Sequence, residues 1–218
     1  MTDRPEKDMT AEIAFWDNIA ERYAARPVQN MDAYEETLAR TRTYLRPDHA
    51  VLEVGCGTGT TALKLAPHTG HITATDFSPA MVAIGQKKAE DSGVENIRFR
   101  ALDAASPEFD RDAFDVVMGF NLLHLVGDVD ETLATFQRTL VKGGTLITKT
   151  PCLSGWPFGL LRAAIPVMRL FGKAPKGKLH FFRIADLEAR IERAGFRIIE
   201  TGNYPQSPPN HFVVATKL

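Results

Sequence analysis

The sequence is short of cysteine, of long apolar runs and of any net charge. Two cysteines in 218 residues, Cys56 and Cys152, cannot build a metal framework and show no sign of pairing, so no metal is expected. The longest apolar stretch, around Trp156 to Phe171, holds two arginines and two prolines and is too short to span a bilayer comfortably. Met1-Thr-Asp-Arg-Pro-Glu-Lys-Asp lacks the apolar run of a signal peptide, which makes a cytoplasmic location the expectation. Repeats and low-complexity tracts are absent. Lys+Arg 26 against Asp+Glu 27 gives a net charge of −1, which excludes a strongly basic nucleic-acid binder. That balance is a cancellation. No acid occurs from Thr132 to Ala185, where Arg138, Lys142, Lys149, Arg162, Arg169, Lys173, Lys176, Lys178 and Arg183 place a charge of +9 against −10 for the remainder.

At 44% hydrophobic and 24% charged, the chain reads as an ordinary globular protein with one domain over 1–218. Ala11 to Ala25 spaces Ile13, Trp16, Ile19, Ala20 and Tyr23 as a helix that Pro27 stops. Asp32 and Glu35 resemble a capping box before a second helix. An alternation follows. Strands are expected at Ala50–Val54, His71–Thr75, Ile97–Ala101, Phe114–Met118 and Thr145–Lys149, with helices at Thr58–Ala66, Pro79–Asp91 and Val129–Val141. Strands apolar along their length and separated by helices indicate an α/β fold with a parallel sheet covered on both faces. A helix at Ala185–Ala194 and strands at Phe196–Gly202 and His211–Lys217 close the chain. The Tyr204-Pro-Gln-Ser-Pro-Pro-Asn loop favours an antiparallel final pair.

The strongest chemical signal is Val51-Leu-Glu-Val-Gly-Cys-Gly-Thr-Gly-Thr60. A buried strand runs into Gly55, Gly57 and Gly59 and then a helix, so the backbone can approach a ligand beside a helix N-terminus. Asp76 follows 21 residues after Gly55, at the end of the second strand, where an acid can accept from both hydroxyls of a ribose. The spacing is G-x-G-x-G after Glu53 and departs from the dinucleotide pattern G-x-G-x-x-G. Asp103 ends the third strand, and the fourth reads Phe114-Asp-Val-Val-Met-Gly-Phe-Asn-Leu-Leu-His124.

With these motifs and the later Leu140-Val-Lys-Gly-Gly-Thr-Leu turn, the sequence resembles the class I S-adenosylmethionine-dependent methyltransferases, especially the small-molecule branch that includes ubiquinone and menaquinone biosynthesis enzymes. The resemblance covers roughly Trp16 to the C-terminus and is most specific from Val51 to Thr150. It implies a Rossmann-like, seven-stranded, mostly parallel sheet of order 3-2-1-4-5-7-6 with strand 7 antiparallel. It also implies methyl transfer from S-adenosylmethionine to a small acceptor, with release of S-adenosylhomocysteine. Gly55, Cys56, Gly57 and Gly59 would then pass beneath the methionine part, and Glu53 would face its ammonium or orient the loop. Asp76 would hold the ribose, Phe77 and Met81 would line the adenine, and Asp103 and Ala104 would contact its edge. Phe120 would border the methionine end. Tyr23 either closes over the cofactor or serves as one aromatic of an amphipathic face.

Methyl transfer needs the acceptor close, aligned and dry, with an acid or base only where a proton must leave. His124, past the fourth strand, is the catalytic candidate, and a packing role is its alternative. Thr150-Pro-Cys152 is similar to the catalytic segment of RNA cytosine-5 methyltransferases, but Gly119-Phe-Asn121 stands where their second Pro-Cys belongs, so Cys152 reads as structural. On this reading 1–46 form a helical cap, 50–150 the cofactor-binding core, 152–183 a basic, apolar insertion and 185–218 the closing elements. The insertion should form a helix from Pro157 to Gly172, kinked at Pro166. As a lid it would offer Trp156, Phe158, Arg162 and His180 to an apolar or anionic acceptor. A membrane-surface element and a dimer contact are the competing readings. Two other functions stay open: a cofactor-binding sensor without turnover, and an NAD(P)-dependent oxidoreductase, which the glycine spacing disfavours.

Overall fold

A computed structural model describes residues 6–153, 158–170 and 174–218. Its elements run α1 (Glu6–Ala24), α2 (Met31–Arg42), β1 (Ala50–Val54), α3 (Thr60–Leu65), β2 (His71–Asp76), α4 (Pro79–Asp91), β3 (Ile97–Ala101), β4 (Phe114–Phe120), α5 (Val129–Thr139), β5 (Leu140–Pro151), α6 (Phe158–Leu170), α7 (Ile184–Arg193), β6 (Phe196–Asn203) and β7 (Asn210–Lys217). The seven strands form one sheet of order β3-β2-β1-β4-β5-β7-β6. All pairs are parallel except β5 with β7 and β6 with β7. This is the expected topology, and its cause is visible in the strands. Val51, Leu52, Val54, Val116, Val117 and Met118 are all buried, so the sheet is covered on both faces. One face packs around Leu52, Val117, Leu133 and Phe136, the other around Val51, Leu65, Ile72 and Val214.

Local chemistry moved several boundaries. The second helix begins at Met31, capped by Asn30, which takes the left-handed conformation at φ 58° and accepts from the Ala33 amide at 3.0 Å. Asp32 therefore lies inside the first turn and is not the cap. Asparagine tolerates that conformation because its short amide bonds locally. Helix α3 starts at Thr60 because Gly59, at φ 72°, occupies the cap position. Helix α5 stops at Thr139, since Leu140 is already extended and pairs with Phe114. Ser78 caps α4 as expected, its hydroxyl accepting from the Met81 amide with Pro79 at the first helical position. Pro166 lies inside α6. The expected bounds of that helix, Pro157 and Gly172, fall outside the described residues. Among those residues no helix is long and apolar enough to cross a membrane.

Candidate active site

The strand order reverses between β1 and β4, and open α/β sheets bind ligands in the crevice outside such a reversal. A cavity of about 800 Å³ occupies that crevice, beneath α1 and against the ends of β1, β2 and β4. The β1 turn forms its floor. Gly55, Gly57 and Gly59 all have positive φ, at 69°, 53° and 72°. At Gly55 a Cβ would come within 2.7 Å of Leu122 Cδ1, so the turn needs both the conformation and the missing side chain.

Two carboxylates flank this turn. Asp76 Oδ2 accepts from the Gly57 amide and Oδ1 from the Ser78 amide, each at 3.0 Å. A carboxylate offers about four lone-pair directions, so both oxygens keep capacity for further donors. Burial raises the Asp76 carboxyl above its usual range, and those two amides pull it back. Glu53 is 2% exposed, and its Oε2 has no hydrogen-bond partner. Burial, assisted by the charge of Asp76, pushes its carboxyl up to about 8. A buried acid held near neutrality beside a second acid is poised for a cation.

Helix α1 forms one wall of the cavity. Met9, Glu12, Ile13, Trp16 and Tyr23 line it, and the rings of Trp16 and Tyr23 meet edge to face at 6.5 Å. Tyr23 is 47% exposed, with its ring edge above Gly57. Asp17 fastens the helix: its Oδ1 accepts from Ser78 Oγ at 2.5 Å and from the Ala80 amide at 3.1 Å. The acid thus satisfies free donors at the N-terminus of α4 directly after Asp76 and Phe77.

Glu53, Gly55, Cys56, Gly57, Asp76, Phe77, Met81, Asp103, Ala104, Phe120 and Tyr23 all line this cavity. Gly59 is not among the lining residues. A Cβ there would strike the Phe99 ring at 2.7 Å, so its glycine serves the packing of α3 against β3 and α4. Asp103 Oδ1 accepts from the Ala105 amide at 2.9 Å, which shapes the turn along the cavity wall. Sequence reasoning overlooked Asp17 and, around His124, the residues Leu122, Leu125, Val126 and Asp128 that line the far end. Trp16 was visible only as an apolar helical position. Seven acids line the cavity, namely Glu12, Glu53, Asp76, Asp103, Glu108, Asp128 and Glu131, and no Lys, Arg or His is found among the described lining.

His124 and His180 lie elsewhere. Both line a second cavity of about 220 Å³ between the end of β5, α6 and the segment 174–181. His124 was the candidate acid or base, with a packing role as its alternative, and it is not among the residues that line the main cavity. Burial, with the charge of His180 adding to it, holds the His124 imidazole down at about 4. The Nε2 of His180 donates to the Val126 carbonyl at 2.9 Å. Trp156 lies outside the described residues; Phe158 and Arg162 belong to α6, and their side chains are likewise outside the description.

The methyltransferase domain family matches residues 51–144, the segment from the start of β1 into β5. An uncharacterized methyltransferase, YcgJ, of Bacillus subtilis is 32% identical over 102 residues, 47% of this chain and 40% of its own. Demethylmenaquinone methyltransferase of Listeria welshimeri is 32% identical over 130 residues, 56% of this chain and 55% of its own. The chain spans about half or less of the length of these relatives. A solved structure of geranyl diphosphate C-methyltransferase from Streptomyces coelicolor, in complex with Mg²⁺, geranyl diphosphate and S-adenosyl-L-homocysteine, superposes with a TM-score of 0.71 at 15% identity, covering 86% of this chain and 79% of that one. With the strand order and the glycine turn in agreement, residues 51–144 are similar to the methyltransferase domain family, and the sheet around them has the fold of the solved methyltransferase structures.

Proposed function

We propose that the protein is an S-adenosylmethionine-dependent methyltransferase acting on a small, largely apolar acceptor and releasing S-adenosylhomocysteine. The observation that carries this reading is the buried acid pair at the glycine turn, with Glu53 Oε2 lacking a partner. The residues fit the cofactor. Asp76 has lone pairs left for two ribose hydroxyls, Glu53 is positioned for an ammonium, and the Gly55 turn leaves the close approach that a Cβ would fill. Phe77, Met81 and Ala104 give this part of the lining apolar groups for a base, and Asp103 a polar one. When bound, S-adenosylmethionine supplies a methyl group already activated on a sulfonium.

The protein's part is then mainly positional. Helix α1, pinned by Asp17, covers one side of the crevice, and Leu122 and Leu125 offer the acceptor an apolar wall. Holding the acceptor in line with the methyl group replaces a bimolecular encounter by an organised one. The lining acids favour an acceptor that is neutral or basic over the anionic one suggested by the basic insertion. Titration calorimetry should show one site for S-adenosylmethionine and none for NAD(P)H; the opposite preference would sink the reading. Incubation with methyl-labelled S-adenosylmethionine and cell extract should yield a labelled small molecule. Binding without any labelled product would favour a sensor.

A cytoplasmic setting belongs to the same proposal, as does contact with an anionic membrane surface. Val167 and Leu170 of α6 are 58% and 82% exposed, beside Lys176 and Lys178 in a stretch without acids. Co-sedimentation with phosphatidylglycerol vesicles should fall at least severalfold in Leu170→Glu, and equal sedimentation would remove the membrane from the account.

A further inference from the structure

The end of β4 brings a further polar side chain to the main cavity. Asn121 directly follows Phe120, lines the cavity and is exposed. Its backbone is left-handed, at φ 53°, and its backbone amide donates to the Lys149 carbonyl at 2.7 Å. Glycine takes that conformation at no steric cost, so the turn by itself does not call for a side chain. The side chain is nonetheless held. Its Oδ1 accepts from Asn210 Nδ2 at 2.8 Å, which ties the end of β4 to the start of β7 across β5. Its Nδ2 has no partner among the described residues. The next residue, Leu122, is the one that a Cβ at Gly55 would strike. Asn121 therefore sits beside the glycine turn, where the reacting end of the cofactor and the acceptor would meet. A non-glycine residue held in a rare conformation at such a place points to a use for its side chain.

We propose that Asn121 is a specificity-determining residue for the acceptor: its Nδ2 donates to a carbonyl or hydroxyl oxygen close to the atom that is methylated. The inference rests on the transferase reading and adds to it the class of acceptor, one that bears such an oxygen. An amide whose oxygen is already taken has only N–H to offer, and a neutral donor suits an oxygen rather than an ammonium or an apolar edge. The bond to Asn210 fixes the direction of that donor before the acceptor arrives, so less rotamer freedom is lost on binding. Leu122 and Leu125 can hold the body of an apolar acceptor, but contacts of that kind are non-directional. A hydrogen bond adds the angular preference that in-line transfer needs. An acceptor without the oxygen would desolvate the amide and leave it unpaired, which is how a single donor discriminates.

Transfer of label from methyl-labelled S-adenosylmethionine to cell extract, followed against extract dilution, tests the assignment. Asn121→Asp keeps an oxygen for Asn210 and tolerates the left-handed turn, but has no N–H to donate. Asn121→Gly removes the side chain and eases the turn. Each should lower the initial rate in dilute extract ~10-fold, the difference of one hydrogen bond, with a smaller loss in concentrated extract. Affinity for S-adenosylmethionine, measured by calorimetry, should weaken by no more than ~3-fold in either variant, which reports that the fold and the cofactor site are intact. The labelled product, identified by mass spectrometry, should carry an oxygen bonded to the methylated atom or to one of its neighbours. Full rate in both variants, or in Asn121→Asp alone, overturns the proposal, as does a product without such an oxygen. No label with the unaltered protein removes the transferase reading itself and the proposal with it.

Discussion

Asp76 and Glu53 divide the work of one crevice by their surroundings. Asp76 is held ionisable by two backbone amides, whereas Glu53 has one oxygen with nothing to accept from. Asp76→Ala should weaken S-adenosylmethionine by ~10- to 100-fold in calorimetry, the effect of losing hydrogen bonds to a charged acceptor. Glu53 has a pH signature. Its carboxyl is raised to about 8 in the folded protein, so between the unfolded value and 8 the native state holds the extra proton. Stability therefore falls as pH rises through that window. Glu53→Gln should raise the melting temperature of the ligand-free protein at pH 8 by ~2 °C or more, with a smaller gain near pH 5. The same variant should bind S-adenosylmethionine more weakly. A cationic ligand ionises Glu53, so binding at pH 7 should release a proton, visible as a dependence of the calorimetric heat on buffer ionisation, and Glu53→Gln should abolish it. The glycine run, Glu53 and Asp76 were legible because each type does something few others can at that position. Asp17 was not: an acid on an exposed-looking helical turn has no signal until Ser78 and Ala80 are brought beside it.

Helix α1 covers one side of the crevice, and its hold on the body runs through that same acid. Removing it should loosen the helix without unfolding the sheet, whose core at Leu52, Val117 and Phe136 lies elsewhere. Asp17→Ala is expected to weaken S-adenosylmethionine by ~5- to 30-fold, the range of a lost helix-cap bond to a charged group. Hydrogen exchange should show faster exchange in α1 with β1 and β4 unchanged. Unchanged protection of α1 would mean that its apolar face alone fixes it. Strand and helix identities were largely readable, and β1, β3 and α4 match to the residue: β1 is a buried apolar run, α4 opens on Ser78 and Pro79, and β3, an edge strand with no fully buried residue, alternates apolar and charged positions. The misjudged ends share a cause. Asn30, Gly59 and Leu140 each adopt a backbone conformation chosen by a tertiary neighbour or a turn, which periodicity does not encode.

The charge asymmetry resolves into two different uses across the molecule. The acidic remainder supplies the lining of the main cavity, where seven acids and no basic residue are found among the described side chains. Its field should favour the sulfonium over the uncharged thioether, so raising ionic strength should weaken S-adenosylmethionine more than S-adenosylhomocysteine, measured by calorimetry at low and high salt. Equal salt dependence would count against a field from the cavity walls. Among the described residues, three of the basic stretch's side chains are engaged within the fold. Arg138 donates to the Phe109 and Ser106 carbonyls, Arg169 to those of Pro175 and Gly177, and Lys149 is buried against Thr37 with its amine lowered to about 8. Order along the chain was enough to establish the doubly covered sheet, its glycine turn and the acids at the strand ends, because these depend on local pattern and on contacts that a βαβ connection dictates. Which way His124 faces, what fastens α1 and where the positive charges point depend on side chains dozens of residues apart, and only packing in three dimensions decides those.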